Sequence, residues 1–177
     1  MSKLSIATCW LEGCSGCHMS LLDIDERLIQ VAANVVLTYG PLVDTKEFPA
    51  GVDATLVEGG IGNVEQMELI RLIRERSNII ISFGDCAVTG NIPGMRNKYR
   101  ASEVLHRAYA ENSSNHTAPP SIGVPKLLPR AIPVHEVVTV DLFIPGCPPP
   151  ADVIFFALDE LLHGRVPEIG GRSRFGA

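Results

Sequence analysis

The segment Cys9-Trp10-Leu11-Glu12-Gly13-Cys14-Ser15-Gly16-Cys17-His18-Met19-Ser20 holds three of the chain's five cysteines, and Cys86 and Cys147 complete the set. Thiolates are ligands for iron–sulfur clusters and for zinc, so this spacing points first to metal chemistry. A Cys-x-x-Cys pair supplies two ligands, whereas a 4Fe-4S cubane takes four. The candidate set is therefore Cys14, Cys17, Cys86 and Cys147. Cys86 lies in Gly84-Asp85-Cys86-Ala87-Val88-Thr89-Gly90, and Cys147 in Pro145-Gly146-Cys147-Pro148-Pro149-Pro150. Gly13, Gly16, Gly84 and Gly146 would let the backbone approach bound sulfides without a Cβ in the way. Other readings stay open on the residues alone. Zinc also takes four cysteines, although structural zinc sites more often use two close pairs. Cys9, Cys14 and Cys17 reproduce the C-x4-C-x2-C spacing of plant-type two-iron centres, here ahead of a helical repeat. Cys86 and Cys147 could also be small core residues.

The odd cysteine count, without a segment resembling an export signal, argues for reduced thiols and a cytoplasmic setting rather than a disulfide framework. A length of 177 residues with 46% hydrophobic and 20% charged residues suits one compact domain over 1–177. The net charge of -5 offers no electrostatic footprint for nucleic acid, and no apolar run is long enough to span a bilayer.

These cysteines need elements to bring them together. Lys3–Thr8 reads as a strand entering the core, and the cysteine turn follows it. From Ser20 a helical period begins, with Leu21, Leu22, Ile24, Leu28, Ile29 and Ala32 on one face. Val35–Tyr39 and Val52–Val57 read as strands, the second ending in Glu58-Gly59-Gly60. A helix is expected over Asn63–Arg76, a strand over Asn78–Phe83 running into the Cys86 turn, a strand over Val137–Ile144 running into the Cys147 turn, and a helix over Ala151–His163. Between them the regular pattern fails over about 91–136, an irregular insertion with a basic stretch at 96–100 and a short helix at 102–110. Such a segment is either a solvated loop or a docking element. The tail, 164–177, is expected to be mobile. Apolar strands alternating with helices predict an α/β fold, a doubly wound parallel sheet of about five strands with helices on both faces. In that fold the turns after strands one, four and five emerge at one carboxyl edge, where four thiolates can meet.

The ordered set Cys14-Ser-Gly-Cys17 with Met19-Ser-Leu-Leu-Asp23, then Glu58-Gly59, then Gly84-Asp-Cys86-Ala-Val-Thr-Gly90, then Pro145-Gly-Cys147-Pro-Pro resembles the small subunits of nickel-iron hydrogenases. These group with the 20 kDa subunit of respiratory NADH dehydrogenase and share its flavodoxin-like core. The resemblance covers nearly the whole chain. It is greatest to the small subunits of cytoplasmic bidirectional, NAD-reducing hydrogenases, especially from Cys9 through Asp23 to Arg27. The adjacent cysteine pair of the respiratory subunits is absent, which makes that quinone-reducing reading, with the coenzyme-F420-reducing and sulfur-reducing hydrogenases, the alternative. The resemblance implies an electron-transferring subunit with one 4Fe-4S cluster on Cys14, Cys17, Cys86 and Cys147. The nickel-iron centre would lie on a large-subunit partner. Flavin, further clusters and the NAD site would lie on diaphorase subunits.

Further roles are expectations. Cys9 is either a strand-end core residue or an alternative ligand. Glu58 is either an exposed loop acid or a group that takes up a proton with the electron, or even ligates iron, and Glu12 is a weaker candidate for the same work. His18 is expected to pack or to face a partner, and Asp85 to orient its turn. FMN has no supporting motif here, since neither a hydroxyl-rich phosphate cradle nor a dinucleotide fingerprint is present. A reading of a different class is a zinc-stabilised structural or assembly subunit.

Overall fold

The structure, a computed structural model, describes residues 3–175. In chain order it contains β1 (Leu4–Trp10), α1 (Gly16–Leu22), α2 (Arg27–Asn34), β2 (Val35–Tyr39), β3 (Val52–Glu58), β4 (Ile61–Asn63), α3 (Val64–Arg76) and β5 (Ser77–Phe83). There follow α4 (Asp85–Thr89), α5 (Asn91–Gly94), α6 (Ala101–His106), β6 (Leu127–Ile132), β7 (Leu142–Ile144) and α7 (Ala151–Leu162). Five parallel strands form one sheet in the order β2-β1-β3-β5-β7. The chain moves outward from β1 to β2 and then returns to β3 on the other side, so the switch point of a doubly wound sheet lies between β1 and β3.

The central strands are apolar on both sides because both faces are covered. Leu56, Ile81, Phe83 and Ile144 pack with Ile24, Ile154 and Leu158 of the α1–α2–α7 layer. Val57 and Ile80 pack with Ile70, Ile73 and Val134 in the α3 layer. Asn63 caps α3 by accepting from the Gln66 amide at 2.9 Å, which leaves the helix to begin one residue later than its cap.

The first helix is broken where the sequence period runs on. Ser20, expected to open a helix, lies inside α1, and the break at 23–26 has Asp25 at φ 52. The break turns Ile24 into the core at 1% exposure, and an aspartate tolerates the left-handed conformation that this requires. The last strand is shorter than its apolar run. Val137 and Val138 continue a turn through their amides to the Val134 carbonyl, at 3.0 and 3.1 Å. Asp141 then pairs with Ile80 by its own amide at 2.9 Å and by its carboxylate, which accepts the Ile80 amide at 2.7 Å, so regular pairing begins only at Leu142. The insertion is largely ordered. Its own strand β6 pairs antiparallel with β4, and its helix α6 continues into a π-turn at Arg107–Glu111. The tail, expected to be mobile, places Ile169 in the α7 layer at 8% exposure, while Gly176 and Ala177 lie outside the described residues.

Candidate metal centre

Four chain segments meet at the carboxyl edge of the sheet: the turns after β1, β5 and β7, and the Glu58-Gly59-Gly60 turn that ends β3. They bring together Cys14, Cys17, Cys86 and Cys147. Cys17 and Cys86 are buried, and Cys14 and Cys147 are exposed. Burial is the first cause that pushes the Cys17 thiol well above its ordinary range, and the negative charges of Glu58, Cys86, Cys14 and Cys147 add to it. Burial likewise raises Cys86, the Ile92 amide partly offsets this by donating to it, and Cys147, Cys14 and Glu58 raise it further. The Cys17 and Cys86 thiols therefore resist ionisation, and a bound cation is what would reverse that preference.

The turns are braced against each other by hydrogen bonds. Gly84 N–H donates to Ile144 O at 2.8 Å, Asp85 N–H to Gly146 O at 2.8 Å, and Gly146 N–H to Asp85 Oδ1 at 2.7 Å. Asp85 thus orients the neighbouring Cys147 turn as well as its own. Ser20 Oγ donates to Pro149 O at 2.6 Å and ties α1 to the same turn. Glu12 and Gly60 exchange amide bonds at 3.0 and 2.8 Å, which fixes the Cys14 turn on the end of β3. Gly84, at φ +83, has no room for a side chain, because a Cβ there would stand 2.1 Å from Cys17 Sγ. Two donors reach exposed sulfurs: Gly16 N–H to Cys14 Sγ and Asn91 Nδ2 to Cys147 Sγ, each at 3.4 Å. Asn91, Ile92 and Ser20 were not legible as site residues. The only sequence signal is that Asn91 and Ile92 follow the glycine closing the Cys86 turn.

Glu58 is not an exposed loop acid. It is 1% exposed and accepts the Cys17 amide at 3.3 Å, the His18 amide at 3.0 Å and His18 Nδ1. Three donors from the start of α1 satisfy a buried carboxylate that would otherwise be costly. His18 is thereby a partner of Glu58, with its ring edge against Phe83. Glu12 folds over Gly62, where a Cβ would meet its Oε2 at 1.4 Å, and its Oε1 is 3.7 Å from Arg96 Nε. Arg96 also donates to Gly62 O at 2.8 Å and Leu128 O at 3.1 Å, so the first arginine of the basic stretch is a strut of the insertion. Cys9 is a strand residue, paired with Val57 in β1, and its side chain packs in the α3 layer rather than at the edge. Burial pushes its thiol up to about 12.

The donor set fits an iron–sulfur cluster: four cysteines from three braced turns, with glycine at the closest approach to Cys17. Among the described residues no group of three or more His, Cys, Asp or Glu side chains converges tightly enough for a single metal ion. A cubane separates its four ligands more widely, since each thiolate takes a different iron. No helix among the described residues is long and apolar enough to cross a membrane.

The family model described as NADH ubiquinone oxidoreductase, 20 Kd subunit, matches residues 14–161. The chain is 43% identical over 159 residues to a subunit of the vhu F420-non-reducing hydrogenase of Methanocaldococcus jannaschii, covering 89% of this chain and 55% of that relative. It is 40% identical over 168 residues to NAD-reducing hydrogenase HoxS subunit delta of Cupriavidus necator, covering 92% of this chain and 80% of the relative. The chain thus spans about half the length of the Methanocaldococcus relative and most of the other. Among solved structures, a chain of an NAD+-reducing [NiFe]-hydrogenase in the H2-reduced state superposes with TM-score 0.93 at 38% identity, covering 98% of this chain and 99% of that one. A chain of the Dm. baculatum [NiFeSe]-hydrogenase shares the fold, with TM-score 0.62 at 20% identity and 99% and 70% coverage. Motif order, sheet topology and these likenesses agree, and the chain belongs to the 20 kDa subunit family of NADH ubiquinone oxidoreductase and nickel-iron hydrogenase small subunits.

Proposed function

We propose that the chain is the electron-transferring small subunit of an NAD-reducing nickel-iron hydrogenase that works in the cytoplasm. A single 4Fe-4S cluster, bound by Cys14, Cys17, Cys86 and Cys147, would relay one electron at a time between the nickel-iron site of a large subunit and a flavin and iron–sulfur diaphorase that reduces NAD. The observation that carries the reading is the convergence of these four cysteines from three turns at one sheet edge. The TM-score of 0.93 at 38% identity to a chain of an NAD+-reducing enzyme supports the NAD branch.

The chain's own residues hold and shape the site. Asp85, Ser20 and the Glu12–Gly60 bonds set the positions of the cysteine turns, and Glu58 fixes the amides of Cys17 and His18. Cys14 and Cys147 stand at the exposed rim, with Trp10, Met19, Ile92 and Met95 exposed on the chain as apolar contact surface for a partner.

The test is iron, acid-labile sulfide and zinc analysis with EPR after reduction, on the chain purified anaerobically with its neighbours. About four irons and four sulfides per chain with a reduced-cluster signal are expected. Zinc without sulfide would sink the redox reading in favour of a structural subunit. A cluster with no hydrogen-dependent NAD reduction by the complex would leave the electron-transfer role and remove the NAD assignment.

A further inference from the structure

We propose that segment 164–175 is a strap that holds the Cys147 turn in place, with Ser173 as its positioning residue. The proposal rests on the reading of that turn as a ligand turn. The turn is the least supported of the three by its own strand. β7 has only three residues and lies at the end of the strand order, so it pairs with β5 alone. Pro145, Pro148, Pro149 and Pro150 have no amide N–H, which leaves few backbone donors to anchor it. It is also tightly wound: Gly146 has φ +136, and a Cβ there would stand 2.5 Å from Pro149 Cα. Asp85 and Ser20 brace it from the α4 and α1 sides.

The strap supplies a further anchor from a different part of the chain. Ser173 Oγ donates to the carbonyl of Pro145, the residue whose peptide leads into Gly146 and Cys147. Four contacts hold Ser173 at that carbonyl. Ile169 is buried with the α7 layer, and Arg172 N–H donates to Ile169 O at 2.9 Å, closing a turn bridged between Gly170 and Ser173. The Arg172 guanidinium lies over the Phe156 ring of α7, 3.8 Å from its centroid, a contact that a loose tail would not keep. A hydroxyl that fixes a carbonyl beside an exposed cysteine limits how far that sulfur can move.

The experiment compares wild type with Ser173→Ala, Ser173→Thr and Arg172→Ala, each purified in complex with its partner subunits. Amide exchange at Gly146 and Cys147 should be about tenfold faster in Ser173→Ala and in Arg172→Ala, and near wild type in Ser173→Thr, which keeps the hydroxyl. Iron loss to a chelator should accelerate in the same order, with a broadened EPR signal. Wild-type exchange at Gly146 and Cys147 in both Ser173→Ala and Arg172→Ala would overturn the strap. So would acceleration spread through β1, β3 and β5, which would mark a general loss of stability. Wild-type protein that carries no iron or sulfide would overturn the cluster reading instead, while the exchange measurement still decides the strap.

Discussion

Cys9 and Cys17 are eight positions apart in sequence, yet they belong to different layers of the molecule. Cys9 alternates into the α3 side of β1, where burial raises its thiol from 9.0 to about 12. The folded chain therefore keeps a proton that the unfolded chain releases near 9. Below about pH 8.5 this thiol's contribution is fully present, and from there toward pH 12 it is lost at up to about 1.4 kcal/mol per pH unit. Urea unfolding of the apo chain at pH 8 and pH 10 should show that loss, and Cys9→Ala should remove one thiol's share of it while leaving iron content unchanged in the loaded protein. Each oxygen of Glu58 already accepts at least one N–H. In Glu58→Gln an amide NH2 would face one of those donors, and thermal melting should show a loss of about 1–3 kcal/mol. A melt equal to wild type would mean that the Cys17 and His18 amides do not depend on the carboxylate.

At the scale of elements, the site depends on where strands stop. β5 ends at Phe83, and the positive φ of the following Gly84 turns the chain under Cys17. Gly84→Ala would strain that conformation and drive a Cβ into Cys17 Sγ, so iron content should fall severalfold even where circular dichroism shows a folded chain. β7 begins late because Asp141 takes the place of a ladder residue, with Arg74 Nη1 donating to it at 2.6 Å. Asp141→Ala should cost about 1–3 kcal/mol and speed amide exchange at 142–144 before it affects β1 or β3. Equal acceleration across all strands would show that Asp141 does not anchor β7 specifically.

At the scale of the whole molecule, the chain is organised as a sheet whose carboxyl edge carries two buried and two exposed cysteines. The one tryptophan stands on that edge, with Trp10 49% exposed and its indole donating to Gly13 O at 3.1 Å. Its fluorescence should be quenched when a cluster is loaded and shift to the blue when a large subunit covers the edge. An emission unchanged by assembly would place the partner elsewhere. Much of this was legible along the chain. The alternation of apolar strands and helices dictated a parallel sheet, and the cysteine-bearing turns after strands one, four and five had to meet at one edge, because parallel strands all end on the same side. The local period could not show that Ile24 breaks the first helix, that Asp141 shortens the last strand, or that Cys9 faces the other layer. Nor could it show that Glu58 is buried under the amides of α1, or that the tail returns to the Pro145 carbonyl. Each of these depends on contacts between residues distant in sequence. Burial and long-range hydrogen bonding settle them, and neither is encoded in the spacing of nearby residues.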